Sequence, residues 1–419
     1  MEVSCAIFFF HLVLEFNFSI HHNLTKGLHI PKRKFIADMS YGMLASNSCL
    51  LSDIADTLHE EAKKKNTIER LSLNLAKGIP ARLVSNYLAK AKSLASSEPV
   101  VHIDDTDIVK PDGHRFEGIG IVRDGSESSS EKSVFKKGYH VTEACAMTQD
   151  GHPVSIFSKI HSSHEKGYSS SNSITFQAIE RSVQLFKKAT FVMDRGYDDN
   201  KMISKLEGLG QDYVIRLTKR RKLFLRNRWV SASELCSRRK GKIKEKVFYD
   251  GKNHDAYLSH VKVQVTASRK DVNLVLVYGI SESPMILLTS REIKSKKDVL
   301  GIARLYFSRW RIEEYFRAKK QIFRFEGFRV RGMSAIRSLN FLITLCMTFL
   351  AHMSMKKNDN SLKVKIQHTA APLKQKVRFH YYRIAKGISG ILSYAREGVR
   401  LWFKTRRPKY RQLSFRFIS

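Results

Sequence analysis

Three carboxylates stand where a rigid element can hold them. Asp104 follows the apolar run VVHI, Asp194 follows FVM and precedes Arg195 and Gly196, and Glu313 lies in the cation-rich stretch YFSRWRIEEYFRAKK, Tyr306 to Lys320. A carboxylate at the end of a buried strand needs a reason, because desolvating an unpaired charge costs several kcal/mol. A shared divalent cation supplies one. Hard Mg²⁺ takes one or two carboxylates together with waters and substrate phosphate. Two such ions roughly 4 Å apart stabilise both the attacking and the leaving oxygen of a phosphoryl transfer. Each acid taken singly also has a plain reading: a strand-end turn for Asp104, a turn after a strand for Asp194, a solvated helical face for Glu313 and Glu314.

The spacing in the third stretch narrows the choice. On a helix, Arg309 lies four residues before Glu313 and Lys320 seven after it, with Tyr306 three before Arg309, so the four are expected to share one face. Such a face suits a DNA end, the acid holding an ion while the cations and the phenol hold phosphates. The competing reading is an Arg–Glu pair on a solvated helix, worth only tenths of a kcal/mol.

Charge points to the partner. Among 419 residues, 74 Lys and Arg against 39 Asp and Glu leave +35, with a pI near 10.0. An excess of that size favours a polyanion, most commonly nucleic acid. An anionic membrane surface is the rival, but the cations are spread over several segments instead of forming one amphipathic stripe. No nucleotide cofactor is expected. The five cysteines have neither zinc spacing nor a CxxC pair; their odd count and wide separation suit small core residues in a reducing compartment. Two apolar runs need placing. Ala6 to Phe18 is too short to span a bilayer and has no basic segment before it, so the start is left uncertain. Leu339 to Met355, interrupted by Asn340, Thr344, Thr348 and His352, reads as a buried core helix.

The elements that must position these residues follow from periodicity. Residues 24–97 read as helices with basic links, Ser52 being a candidate cap, and are expected to contact DNA. From Pro99, strand-like runs recur at PVVHIDDTD, HVTEACAMT, PVSIFSKI, ATFVMD and DYVIRLT, with ITFQAIERSVQLFKK as a helix among them, which is an α/β signal. GSESSSEK is a loop. Residues 219–290 are basic and β-rich, with VKVQVTA and NLVLVYG forming a hairpin, and interrupt the α/β pattern. Helical pattern returns afterwards. The tail from Lys374 to Arg416 carries 13 cations and one acid, Glu397.

These residues together resemble the bacterial insertion-sequence transposases of the DDE class, in the group called insertion-sequence family four. That group's signature is Tyr-x2-Arg-x3-Glu-x6-Lys, matched by Tyr306, Arg309, Glu313 and Lys320. IDDTDIVK is similar to its first motif, which selects Asp104 over Asp105 and Asp107; VMDRGYDD followed by LGQDYVIRL is similar to its second, which selects Asp194. The match runs in order from about Pro99 to Ala351.

The resemblance implies an RNase H-like catalytic core interrupted by a β-rich insertion. An N-terminal helical DNA-binding domain precedes it and a basic C-terminal segment follows. The corresponding boundaries are an uncertain apolar start over 1–23, the helical domain over 24–97, the core over 98–218 and 291–356, the insertion over 219–290 and the basic segment over 357–419. It further implies that Asp104, Asp194 and Glu313 bind two Mg²⁺ ions, with Mn²⁺ as a substitute, and that Tyr306, Arg309 and Lys320 hold phosphates. The partners would be double-stranded DNA, as terminal inverted repeats and target, and a second copy of the chain in a synaptic dimer. The setting would be the bacterial cytoplasm at the nucleoid. Arg195 and Gly196 would shape the turn after Asp194, and Trp310 would be core. Whether Trp229, the insertion's tryptophan, assists a hairpin intermediate stays open. The alternatives are a metal-dependent nuclease that does not join strands and a basic DNA-binding protein with a relict site.

Overall fold

The computed structural model describes residues 23–129, 131–249, 252–267, 269–355, 366–367, 369–370 and 381–394. The apolar start and most of the basic C-terminal segment, Glu397 included, lie outside the described residues. Four helices come first: α1 (Ile30–Ser46), α2 (Leu51–Leu58), α3 (Lys64–Ala76) and α4 (Ala81–Leu94). Ser52 does not cap α2; Leu50 holds the N-cap position, and the Ser48 hydroxyl accepts from the Leu50 N–H instead. Helix α1 is buried from Phe35 to Ala45, because it packs on several neighbours at once. Gly42 allows that crowding, since a Cβ there would collide with Ile54 of α2. The helices therefore share one hydrophobic core with the strands that follow.

Next come β1 (Val100–Val109), β2 (Gly120–Arg123), β3 (Phe135–Met147), β4 (Pro153–His161), α5 (Ser171–Phe186), β5 (Thr190–Met193), a 3₁₀ turn (Arg195–Tyr197), α6 (Asn200–Gly208) and β6 (Asp212–Arg216). The basic middle region holds β7 (Lys222–Leu225), β8 (Arg228–Ser231), α7 (Ala232–Ser237), β9 (Ile243–Tyr249), β10 (Lys252–Val265) and β11 (Lys270–Tyr278). After them come β12 (Met285–Thr289), α8 (Lys296–Phe307), α9 (Trp310–Ile322), a second 3₁₀ turn (Phe325–Gly327), α10 (Met333–Ser354) and α11 (Tyr381–Tyr394).

One mixed sheet runs β2-β3-β1-β5-β6-β12-β11-β10-β7-β8, with β4 on β3 and β9 on β10. Strands β1, β5 and β6 are parallel, linked through α5 and α6. The region expected to be an insertion is continuous with this sheet: β12 lies antiparallel to β6 and β11 to β12. The apolar runs explain why the sheet is covered on both faces. Along β5, Phe191 and Met193 join the main core while Val192 joins a second one; along β12, Ile286 and Leu288 face one way and Leu287 the other. Period-two alternation of apolar residues on both faces is what a doubly covered strand requires. Helix α8 seals the second core with Val299, Ile302, Ala303, Tyr306 and Phe307.

Helix α10 is long and apolar enough to cross a membrane, yet 83% of its most apolar window is buried inside the protein. Its apolar residues belong to the main core. Cys49, Cys145, Cys236 and Cys346 are buried free thiols; Cys5 lies outside the described residues.

Candidate active site

Strand register assembles the site. On the face covered by α8, β1 presents His102 and then Asp104, β5 presents Val192 and then Asp194, and β6 presents Val214 and then Arg216. His102 pairs with Val192, and Val192 with Val214. Two residues further along each strand, Asp104, Asp194 and Arg216 therefore stand at one level, on neighbours about 4.8 Å apart. Glu143 of β3 extends the row, being opposite Asp104. Asp105 and Asp107 point to the other face, where Asp105 accepts from the Thr142 hydroxyl at 2.5 Å and Asp107 pairs with His140 Nδ1 at 2.6 Å.

The Tyr-Arg-Glu-Lys stretch is not one straight helix. Helix α8 ends at Phe307 and α9 begins at Trp310, joined by tightened i→i+3 bonds from Arg309 N–H to Tyr306 O and from Ile312 N–H to Arg309 O. Tyr306 thus lies in the last turn of one helix and Glu313 in the first turn of the next. The hydroxyl of Ser308, in the joint, lies 3.1 Å from His102 Nε2, which docks the break onto β1.

Arg309 binds two acids from different elements: Nη1 is 2.6 Å from Asp104 Oδ2 and Nη2 is 2.5 Å from Glu313 Oε1. Tyr306, only 1% exposed, donates its hydroxyl to Asp194 Oδ1 at 2.9 Å. Arg216 Nη1 approaches the same oxygen at 4.0 Å. Lys320 donates to the backbone carbonyl of Asp107 at 2.5 Å and lies 3.1 Å from Glu326. The four signature residues are thus gathered at β1 and β5, but three of them, expected to hold phosphates, here hold protein groups. Glu314 pairs with Arg317 at 2.7 Å, an ordinary helical charge pair. Trp310 is half-buried under the Arg311 guanidinium. Arg195 and Gly196 form the 3₁₀ turn beyond Asp194, and exposed Trp229 sits on β8, the far edge strand of the sheet.

The charges are uneven. Burial pushes the Asp104 carboxyl up to about 7, with Arg309 opposing. Burial also works against ionising Asp194, but Arg309, the Arg195 N–H, Tyr306 and Arg216 outweigh it and hold this carboxyl below its ordinary value. Burial raises the Tyr306 phenol. For Arg309, burial favours the neutral form and is overcome by the acids, Asp104 first.

Among the described residues, no three Asp, Glu, His or Cys side chains already converge on one point as ligands. The donors nevertheless fit a hard divalent cation: all are carboxylate oxygens, Asp104 and Asp194 are adjacent, and Asp104 resists ionisation without more positive charge nearby. Arg309 pairs with Asp104 and Glu313, two of the carboxylates that would hold such a cation.

Two groups were not legible beforehand. Arg216 ends a buried strand, where a cation calls for a carboxylate neighbour; that was its only signal. Lys319 is 2% exposed and bonds Glu143 Oε1 at 3.0 Å, Thr344 Oγ1 at 3.0 Å and Ser158 Oγ at 3.2 Å. Its helical spacing from Ile312 and Tyr315, both fully buried, was the available sign.

Residues 96–349 match the family model described as the transposase DDE domain. The match covers more than half of the chain, so the protein belongs to the DDE transposase family. A solved structure described as a cryo-EM structure of the piggyBac transposase synaptic complex with hairpin DNA aligns with 98% of this chain and 82% of that one. Identity is 11% and the TM-score 0.47. No curated protein matches the chain.

Proposed function

We propose that this DDE transposase performs cut-and-paste transposition of an insertion sequence of family four, nicking DNA at terminal inverted repeats and joining the freed 3′ ends to target DNA. The observation that carries the reading is the row of Asp104 and Asp194 on parallel β1 and β5, tied through Arg309 to Glu313 at the start of α9. Asp104, Asp194 and Glu313 would hold Mg²⁺, or Mn²⁺ in its place. Bound there, the ions supply activation of the attacking oxygen and stabilisation of the leaving one.

The chain's own residues do the rest. Tyr306 orients Asp194 by donating to one of its oxygens. Ser308 and His102 fix the joint between α8 and α9, and so the height of Glu313 above the sheet. Arg309 balances the acids, pairing with Asp104 and Glu313 together, and carries positive charge beside the residues that would hold the ions. Arg216 lies beside Asp194 on the same face, placed for a phosphate of the bound end. Lys320 links α9 to β1 and contributes positive charge at the rim. Exposed Lys64, Lys65, Lys77, Arg82 and Lys92 on and between α3 and α4 suit flanking DNA. Two ends must be held together for transposition, which calls for a dimer.

The test is incubation of the full chain with duplexes carrying the sequences that flank its reading frame, in Mg²⁺ and in EDTA, with strand products and joining to a plasmid analysed. Cleavage and joining that require Mg²⁺ and are lost in Asp194→Asn and Glu313→Gln are expected. Cleavage unaffected by those substitutions would sink the site assignment. Cleavage without joining would make the protein a nuclease, and metal-independent binding without cleavage a relict.

A further inference from the structure

The phenol expected to touch DNA, Tyr306, is buried and committed to Asp194, yet a second, half-buried phenol packs at the same helix end. Tyr249 ends β9, in the insertion. Alternation along β9 turns Glu245, Val247 and Tyr249 toward α8 together. Val247 lies in the α8 core, and Glu245 Oε1 accepts from Arg304 of α8 at 2.9 Å. The Tyr249 ring packs on Phe307, the last residue of α8, at 5.4 Å between centroids and 54° between planes. Its carbonyl lies 3.2 Å from His254 Nε2 of the partner strand. The ring is therefore fixed one residue from Tyr306 and two from Arg309. Its hydroxyl has no hydrogen-bond partner among the described residues, and the side chain is only half-buried. Arg216, Arg309, Glu313 and Asp194 all act electrostatically on it; burial, acting first, keeps it a neutral phenol and hence a donor.

Resting on the active-site reading above, we infer that Tyr249 is a further substrate-contacting residue of the transposase, its O–H donating to a non-bridging phosphate oxygen of the DNA strand end held at Asp104, Asp194 and Glu313. The chemistry fits. An uncharged donor set between arginines and carboxylates bonds a phosphate oxygen without adding charge to a site that must also hold cations. It also gives the insertion a direct part in the reaction, since the β9–β10 hairpin carries this group to the core.

Tyr249→Phe removes only the hydroxyl and keeps the packing on Phe307, so folding is not at issue. With a duplex of the flanking terminal sequence, Tyr249→Phe should cleave about tenfold more slowly, while its Kd measured in Ca²⁺ stays within about twofold of the unsubstituted chain's. Replacing the contacted phosphate by a methylphosphonate should erase the difference between the two proteins, which a merely structural role would not do. Equal cleavage rates on the native duplex would overturn the inference and leave the transposase reading intact. If the unsubstituted chain binds this duplex without cleaving it, the cleavage reading fails by itself. Photo-cross-linking of Tyr249→p-benzoylphenylalanine in Ca²⁺ then decides the contact. A cross-link to the terminal nucleotides supports it, and bound DNA without one overturns it. Failure to bind the duplex at all would overturn both readings.

Discussion

Arg309 puts one guanidinium against acids from two elements, Asp104 on β1 and Glu313 on α9, where a residue chosen only to hold phosphate would point outward. Its bidentate fork suits that bridge in a way a lysine would not. If Asp104 and Glu313 hold a divalent cation, Arg309 would compete with it for the same carboxylates. Arg309→Ala is therefore expected to tighten Mn²⁺ binding by about tenfold, the loss of roughly one charge-assisted hydrogen bond of competition. Titration calorimetry of the chain without DNA reads this directly. Weaker Mn²⁺ binding in the variant would mean that the arginine supports the ligands instead of competing with the ion.

The register of α9 on the sheet depends on a buried ion pair beneath it. Lys319 and Glu143, 2% and 0% exposed at the side chain, meet at 3.0 Å. Removing one partner of such a pair typically costs about 3–5 kcal/mol, because a charge is left buried alone. Lys319→Met should lower stability by that order in chemical denaturation, and Lys319→Met with Glu143→Gln should recover much of the loss. A single variant as stable as the original would show that the pair carries no such weight. Strands β3 and β4 hold a second pair of groups, on the face away from Asp104, where the His140 and His161 rings lie 5.7 Å apart. Burial lowers His161 from 6.5 to about 4, so the unfolded chain takes up this proton first as the solution is acidified. Its contribution is complete above about 6.5 and declines as the pH falls toward 4. His140 has the opposite sign: its bond to Asp107 raises it, so its contribution is present at low pH and lost as the pH rises through the raised value. His161→Gln is expected to flatten the acid side of a plot of Tm against pH, and an unchanged acid slope would count against the assignment.

For the whole molecule, the dominant property is the +35 net charge. Displacement of counterions makes DNA affinity depend steeply on salt. If the cations of α3, α4 and the site rim contact six or more phosphates, affinity should fall on the order of a thousandfold between about 50 and 200 mM salt. A shallow slope in filter binding or anisotropy would mean that few of these cations touch DNA. The N-terminal helices share one hydrophobic core with the sheet that carries Asp104 and Asp194, so the proposed DNA-binding helices and the acids belong to one packed body.

The residue pattern by itself marked three candidate acids, the four-residue spacing, the α/β alternation and the buried course of Leu339 to Met355. Those are local facts: side-chain period, strand-end carboxylates and spacing on a helix. It did not determine the break at Ser308–Arg309, since continuing helix and tightened joint have the same composition. Nor did it give the partners of Tyr306, Arg309 and Lys320, which read as a phosphate-holding face but in the structure bond Asp194, Asp104 with Glu313, and the Asp107 carbonyl. Arg216 and Glu143 came level with Asp194 and Asp104 only through parallel and antiparallel register, and Tyr249 meets the end of α8 only because β9 folds against that helix. Contacts between residues far apart in the chain are set by how strands pair and helices dock. No window of sequence contains both sides of such a contact, so only the tertiary structure decides it.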